Sequence, residues 1–150
     1  MQRAYWLESW FWKHKVKFFW QRRTRGFDDS TLWDLDYTIL KFILPRLKAF
    51  RQVGAGYPAS FYYGEDCSSE DIIRDSTTSI EERATRSNAA HAEWKAAIDK
   101  MIYSIEVWVE NDGMIDHDFV DGELVPTPDR RAKFEEGWEL FHKYFFGLWD

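Results

Sequence analysis

Residues 25–50 read RGFDDSTLWDLDYTILKFILPRLKAF, and we expect the rest of the chain to be organised around them. Asp28, Asp29 and Ser30 follow a glycine, and their side-chain oxygens can accept hydrogen bonds from the free N–H groups of a helix's first turn. The apolar residues that follow recur every three or four positions, as on the buried face of a helix. They are Leu32, Leu35, Ile39, Phe42, Ile43, Leu47 and Phe50. Because this spacing continues in phase beyond Pro45, the proline predicts a kink rather than the end of the helix.

Three further segments have helical patterns. Residues 2–24 are predicted to form a first helix, with aromatic residues around most of its circumference and basic residues in the gaps. Residues 79–110 are predicted to form the longest helix, because Ser79 ahead of two glutamates is a typical N-terminal signal. Its apolar seam consists of Trp94, Ile98, Met101, Ile105 and Trp108. A last helix is predicted to start at Pro128. Its seam has the same spacing and consists of Phe134, Trp138, Phe141, Phe145 and Leu148.

The connections between these helices complete the predicted fold. Asp121-Gly122, between two short runs of β-forming residues, is typical of a β-hairpin turn. Residues 54–78 are rich in turn-forming residues and are expected to be irregular, with one short helical turn at residues 70–74. The predicted fold is all-α and covers residues 1–150 as a single-domain bundle of about four helices with a small β-hairpin before the last helix. We expect the seams of the third and fourth helices to pack against the second helix.

Charge is unevenly distributed along the chain, whose net charge is −6. Residues 1–25 hold seven Lys and Arg against one acid, Glu8, so a basic aromatic N-terminal helix precedes an acidic helical body, residues 26–150. Basic residues interleaved with aromatic ones suit contact with a protein, a second copy of the chain, an anionic membrane surface or a nucleic acid. The predicted interaction residues are Trp6, Trp10, Lys13, Lys17, Trp20, Arg22 and Arg23.

Composition and motifs argue against several classes of protein. Aromatic residues make up 19% of the chain, which is more than one small core needs and favours contact surfaces. Cys67 is the only cysteine, so no disulfide can form within the chain, and its acidic surroundings do not favour a catalytic thiol. We recognise no secretory signal and no uncharged run of the ~20 residues that a membrane-spanning helix needs. Nucleotide-binding, serine-hydrolase and zinc-protease motifs are absent, so no cofactor and no enzymatic activity are predicted.

Acidic residues offer three candidate metal sites, each with a structural alternative. The first cluster is Asp28, Asp29, Asp34 and Asp36, which lacks the spacing of a calcium loop and includes the expected helix caps. In Asp116-His117-Asp118 the two acids share one side of an extended chain, which suits either a metal or acid–base site or a polar hairpin. The third set consists of Asp99, Glu106, Glu135, Glu136 and Glu139. It lacks the paired one-turn spacing of all-α nucleotide pyrophosphatases, so no metal site is predicted.

The stretch of residues 25–50 also resembles a family of small tailed-bacteriophage proteins, in which an Arg-Gly-aromatic turn leads into an Asp-capped helix containing Trp. Gly56-Tyr57-Pro58, Trp94 near the middle of a helix and YFFGLWD at residues 144–150 match the same pattern. The resemblance covers the helical scaffold rather than the loops. It implies a phage origin and a host-cytoplasm setting, and it brings no active site with it.

Taken together, these patterns predict a non-catalytic phage-encoded interaction protein of the host cytoplasm. It is expected to self-associate and to bind a host or phage protein, with inhibition of a host defence as one such role. The first alternative is association with nucleic acid or a membrane surface through residues 1–25. The second alternative is a metal-dependent hydrolase that uses the helical carboxylates.

Overall fold

The computed structural model describes residues 3–54, 56–66 and 68–148, and the side chains of all of these except residues 3–13 and 119. The helices are α1 (Arg3–Arg25), α2 (Leu35–Val53), α3 (Ala59–Tyr63), α4 (Ser69–Ser76), α5 (Ile80–Glu110) and α6 (Pro128–Tyr144). The antiparallel strands β1 (His117–Val120) and β2 (Glu123–Pro126) precede α6. Short 3-10 turns lie before α2, at Asp29–Leu32, and after α6, at Phe145–Gly147. The predicted all-α fold with a small hairpin before the last helix is confirmed.

By their internal contacts the described residues form two compact units, one ending at Leu40 and the other beginning at Lys41. This boundary lies within α2, whereas the sequence places the change from basic arm to acidic body at residue 25. In the first unit α1 contacts the 3-10 turn, and in the second α5 packs against both α6 and α3. No helix in the described parts of the chain combines the length and hydropathy needed to cross a bilayer.

The core of the second unit lies where α5 meets α6. Four residues of the predicted α5 seam are buried there, namely Trp94, Ile98, Met101 and Ile105. The buried residues of α6 are Phe134, Gly137 and Phe141. The prediction that Trp138 and Phe145 also belong to the inward seam is wrong, because both rings are exposed. The two seams pack mainly against each other. The second helix, α2, meets α5 through the ion pairs Lys48–Glu106 and Arg51–Asp99.

Gly137 explains which face of α6 turns inward. A Cβ atom at this position would lie 2.1 Å from the carbonyl oxygen of Lys100 and 2.2 Å from Ser104 Oγ. Because only a hydrogen atom fits there, the backbones of α5 and α6 can approach closely at this point. The close approach brings the glycine side of α6 into the core and leaves the larger Trp138 ring at its edge, stacked on Phe134 with centroids 5.8 Å apart.

The hairpin forms where the sequence predicts it. Asp121 and Gly122 both have positive φ, 51° and 89°, as a two-residue type I′ turn requires. This turn sets the antiparallel register, in which His117 lies opposite Pro126. A two-stranded hairpin is marginal by itself, so its contacts with α6, described below, are needed to hold it in place.

The chain enters α2 differently from the prediction. Asp28 caps the 3-10 turn rather than α2, accepting a hydrogen bond from the Ser30 main-chain N–H at 2.9 Å. α2 starts only at Leu35, continues through Pro45 and ends at Val53, after which Gly54 has a φ of 68°. The prediction that the helix does not stop at the proline is therefore confirmed.

The N-terminal half of the predicted α2 core stripe is exposed. Leu35, Ile39 and Phe42 face solvent, whereas Leu40 and Leu47 are buried. Since successive helix residues are about 100° apart, Leu40 and Leu47 lie about 80–160° around α2 from the exposed three and so share a different side of the helix. Assigning the exposed residues to the core was wrong, because helical spacing identifies an apolar face without showing what covers it.

Residues 54–78 contain two short helices, α3 and α4, so the prediction of an irregular segment is wrong. The helical turn expected at residues 70–74 does form, as part of α4. A capping box starts α4, since Ser68 and Asp71 exchange side-chain to main-chain hydrogen bonds. Cys67, whose surroundings the sequence predicts to be acidic, lies outside the described residues.

Candidate interaction surface

A fully buried carboxylate joins α1 to the turn that follows it. Asp28 has no exposed surface and accepts hydrogen bonds from Ser30 Oγ, from the Ser30 main-chain N–H and from Arg22 Nε. A buried charge is tolerated only when it is paired and hydrogen-bonded, and this arrangement provides both. The hydrogen bonds from the Ser30 and Arg22 side chains lower the pKa of Asp28, so the carboxylate stays ionised against the opposing effect of burial.

Asp29 makes a second set of contacts with α1. Lys17 lies 2.8 Å and Arg25 2.7 Å from its carboxylate, and Gln21 donates a hydrogen bond at 2.8 Å. These three groups, Lys17 first, lower the pKa of Asp29. We call one side of α1 the paired face, because its polar side chains bind Asp28 or Asp29 of the adjoining turn. Its residues are Lys17, Gln21, Arg22 and Arg25.

The opposite face of α1 is apolar and uncovered. Val16, Phe19 and Trp20 are 53%, 64% and 61% exposed. With about 100° between successive residues, they share one side of the helix with Arg23, and the paired face lies on the other side. We call these four residues the apolar face of α1. Because the turn already occupies the paired face, the apolar face is the side of this segment that is free to meet another molecule.

The turn and the start of α2 present further apolar residues to solvent. Trp33 is 88% exposed, and Leu32, Leu35 and Ile39 are also exposed. An exposed Trp is unusual, because its indole is the largest apolar side chain and is commonly found in cores or at interfaces. Exposed aromatic and aliphatic residues in this number suit contact with an apolar surface rather than with water.

The structure divides the predicted interaction residues into three groups. Trp20 and Arg23 lie on the apolar face. Lys17 and Arg22 lie on the paired face, where they form ion pairs with Asp29 and Asp28. The sequence analysis did not predict this structural role. The remaining predicted residues, Trp6, Trp10 and Lys13, lie outside the residues whose side chains the structure describes. The sequence analysis missed the ion pairs Lys17–Asp29 and Arg22–Asp28. The signal that could have indicated them is the acidic turn that directly follows the basic end of α1.

Comparison with protein-family models, curated proteins and solved structures found no match to this chain. The surfaces of the described residues therefore carry the functional interpretation.

The acids of the Asp116-His117-Asp118 motif hold the hairpin to α6. Arg131 pairs with Asp116, and Arg130 pairs with Asp118, each through two guanidinium nitrogens. The hydrogen bonds from Arg131 and from Arg130 lower the pKa of Asp116 and of Asp118, respectively. Both carboxylates are thus engaged by guanidinium groups, which favours the structural alternative for this motif.

The helical acids of the hydrolase alternative are mostly paired as well. The pairs are Arg51–Asp99, Lys48–Glu106, Arg131–Glu135 and Lys100–Glu136. Among the described residues, no three His, Cys, Asp or Glu side chains lie close enough together to hold a metal ion. The remaining acid of this set, Glu139, lies on α6 beside a surface groove.

This groove runs between α5 and α6 and has a volume of about 510 Å³. Apolar groups of Phe61, Ala97, Leu140 and Tyr144 line it. Its charged residues are Glu93, Lys100, Glu136, Glu139 and Lys143. Lys100 pairs with Glu136 and Lys143 pairs with Glu65, both at 2.6 Å. Glu93 and Glu139 have no basic partner among the described residues, so the groove has an apolar lining and two acids that are not neutralised.

A polar and aromatic cluster holds α3 and α4 on α5. Asp75 accepts hydrogen bonds from Tyr62 at 2.8 Å and from Arg86 at 3.2 Å. Burial, and then the hydrogen bond to Asp75, raise the pKa of Tyr62, so its phenol stays protonated as a donor. Tyr57 donates a hydrogen bond to Ser87 at 2.8 Å. These side chains satisfy one another, which gives the cluster a structural role in the second unit.

Proposed function

We propose that this chain is a non-catalytic interaction protein that associates with a second copy of itself and with a partner protein. The contact surface comprises the apolar face of α1 and the exposed apolar residues of the 3-10 turn and α2. The observation that carries the proposal is the exposure of Phe19, Trp20 and Trp33, at 64%, 61% and 88%. Aromatic residues are the side chains most enriched where proteins bind each other.

The exposed area is large enough to matter for association. An aromatic side chain carries roughly 150–250 Å², so these three rings leave on the order of 400–500 Å² in water. One partner in a standard protein–protein interface buries about 800 Å². Phe19 and Trp20, together with Val16, supply roughly a third of that area on α1, and Trp33 adds a separate exposed ring just after the 3-10 turn.

The charge pattern supports a protein partner over a polyanion. Lys17, Arg22 and Arg25 are occupied by Asp28 and Asp29, which leaves fewer basic groups for phosphates. We therefore expect no retention on heparin and no binding to anionic vesicles at physiological salt, where weak electrostatic contacts are screened. Retention that is lost when residues 1–25 are deleted would support the nucleic-acid or membrane alternative instead.

The proposed setting comes from the resemblance of residues 25–50 to small tailed-bacteriophage proteins. It makes the partner a host or phage protein of the host cytoplasm, with inhibition of a host defence as one such role. Affinity capture from a bacterial lysate, run in parallel with the wild-type protein and a Trp33→Glu variant, identifies partners that depend on this surface.

Light scattering tests the self-association. We expect the wild-type protein to have a mass above that of the monomer at micromolar concentration, and the Phe19→Glu and Trp20→Glu variants to be monomers. Ile80→Glu is the matched control, since Ile80 is also an exposed apolar residue, at 78%, but belongs to the first turn of α5. A monomeric wild-type protein, or equal loss of association in the control, would overturn the proposal.

A further inference from the structure

We propose that the apolar face of α1 in one copy docks into the groove between α5 and α6 of a second copy. The inference rests on the proposed function and names the surface that receives the exposed helix face. We call the copy that provides α1 the donor copy and the copy that provides the groove the acceptor copy. The donor copy contributes the Trp20 and Arg23 side chains, and the acceptor copy contributes the Glu93 and Glu139 carboxylates.

The groove matches an aromatic side chain in size and lining. Its volume of about 510 Å³ lies within the roughly 300–1,000 Å³ of pockets that enclose organic ligands. Phe61 and Tyr144 line it with rings whose centroids are 5.2 Å apart. An indole or phenyl ring of the donor helix can pack against these rings in the offset or edge-to-face geometry that aromatic pairs prefer.

The charges of the two surfaces are complementary. Arg23 is exposed and lies on the same side of α1 as Phe19 and Trp20. Among the described residues it has no acidic partner, just as Glu93 and Glu139 have no basic one. A guanidinium placed over either carboxylate makes a charge-assisted hydrogen bond, which Arg forms with a fixed fork geometry. On α1, the Trp20 ring and the Arg23 guanidinium lie about one helical turn apart. In the groove, apolar side chains likewise lie beside the carboxylates of Glu93 and Glu139.

The charge balance of the whole chain points the same way. From Lys41 onward there are 13 Lys and Arg against 21 Asp and Glu, so the part that contains the groove is acidic. Up to Leu40 there are seven Lys and Arg against five Asp and Glu. Opposite net charges attract at long range and orient one copy relative to another, which favours contact between unlike parts over contact between like parts.

Charge reversal tests the inference on the full-length protein. Arg23→Glu and the double variant Glu93→Arg/Glu139→Arg are each expected to weaken self-association about tenfold or more, because each places like charges in contact. The protein carrying all three substitutions is expected to recover association close to the wild-type level. The control is Glu110→Arg/Glu123→Arg, which makes the same change in net charge as Glu93→Arg/Glu139→Arg at two exposed acids outside the groove.

Sedimentation equilibrium at several concentrations gives the dissociation constants, and circular dichroism checks that each variant is folded. Association that Phe19→Glu abolishes but Glu93→Arg/Glu139→Arg leaves unchanged would overturn the groove as acceptor while leaving the proposed function intact. Association that neither substitution changes would overturn both. A triple variant no better than the double one would show that Arg23 and the two glutamates do not meet.

Discussion

The hydroxyl of Ser104 on α5 donates a hydrogen bond to the main-chain carbonyl of Phe134 on α6, with 2.8 Å between the two oxygens. Ser104 is fully buried at the crossing of the two helices. Ser104 Oγ also lies only 2.2 Å from the position that a Cβ atom at residue 137 would occupy. One small polar side chain and one glycine thus set the distance between the helices that form the core.

Replacing Gly137 with alanine should destabilise the protein. The added methyl group would meet the Lys100 carbonyl oxygen, a main-chain atom that cannot rotate away. We expect a loss of about 1–3 kcal/mol in the free energy of unfolding, as for overpacked cores. Helix propensity by itself predicts the opposite sign, a gain of about 1 kcal/mol for alanine over glycine. Urea unfolding distinguishes the two, and a stabilised variant would show that the helices can separate without cost.

Replacing Ser104 with alanine should cost about 1 kcal/mol in the free energy of unfolding, the typical net value of one hydrogen bond. The substitution removes the donor to the Phe134 carbonyl and leaves the surrounding packing in place. Ser79→Ala removes the side-chain cap of α5 outside the core and serves as a comparison of similar size. A Ser104→Ala variant as stable as the wild-type protein would mean that the interhelical hydrogen bond contributes nothing to stability.

Replacing Trp94 with phenylalanine should cost little. Trp94 is buried between the rings of Phe61 and Tyr144, at centroid distances of 5.3 and 5.5 Å. Its indole N–H has no hydrogen-bond acceptor among the described residues. Phenylalanine keeps a ring in the cluster and removes this unsatisfied donor, so we expect a loss below about 1.5 kcal/mol.

The alanine variant at position 94 shows how much stability is lost when the whole ring is removed. Trp94→Ala should cost about 3–5 kcal/mol, because it leaves a cavity among the aromatic rings. Thermal unfolding followed by far-UV circular dichroism measures both variants. If Trp94→Phe were as damaging as Trp94→Ala, the indole N–H would have a structural role that its present surroundings do not explain.

Arg22 and Arg23 are neighbours with different expected roles. Arg22 pairs with buried Asp28, so Arg22→Gln should loosen the turn after α1 and speed hydrogen exchange at the Ser30 main-chain N–H. Arg23→Gln should leave that exchange rate unchanged, because Arg23 lies on the other side of the helix. Hydrogen exchange by NMR at low protein concentration compares them. Equal effects in the two variants would mean that the ion pair with Asp28 does not hold the turn.

The ion pairs of the hairpin should make its stability depend on acid pH. The folded-state pKa values of Asp116 and Asp118 lie below the ordinary value of about 4. A lowered folded-state pKa contributes stability that is present above the unfolded pKa and is lost as the pH falls through the folded one. The difference in Tm between wild type and Asp116→Asn should therefore be constant from neutral pH to about pH 5 and should shrink below about pH 4.

This difference should amount to only a few degrees, because Asp116 and Arg131 are both partly exposed and such pairs are weakened by solvent. Asp66→Asn, at an exposed acid in the loop between α3 and α4, is the matched control for the loss of one carboxylate. A wild-type advantage that grew as the pH fell would contradict the direction of the pKa shift.

Much of the local structure could be read from neighbouring residues. The Ser79 cap, the Asp121-Gly122 turn and the Pro128 helix start each depend on the backbone chemistry of a few adjacent positions, so sequence alone predicts them. The α5 seam was also predictable, because a long helix with one consistent apolar face has only one way to bury it. Trp20 and Arg23, two of the predicted interaction residues, are exposed on one side of α1, and their role in binding stays a prediction.

What the sequence by itself determined is therefore the order and type of the main helices and the hairpin between them. Only the tertiary structure decided which apolar face is covered. It placed Gly137 rather than Trp138 in the core, left Trp33 and Ile39 in solvent and buried Asp28 under Arg22. The physical reason is that capping and periodicity act over a few residues, whereas burial depends on groups that are distant in the chain and meet only after folding.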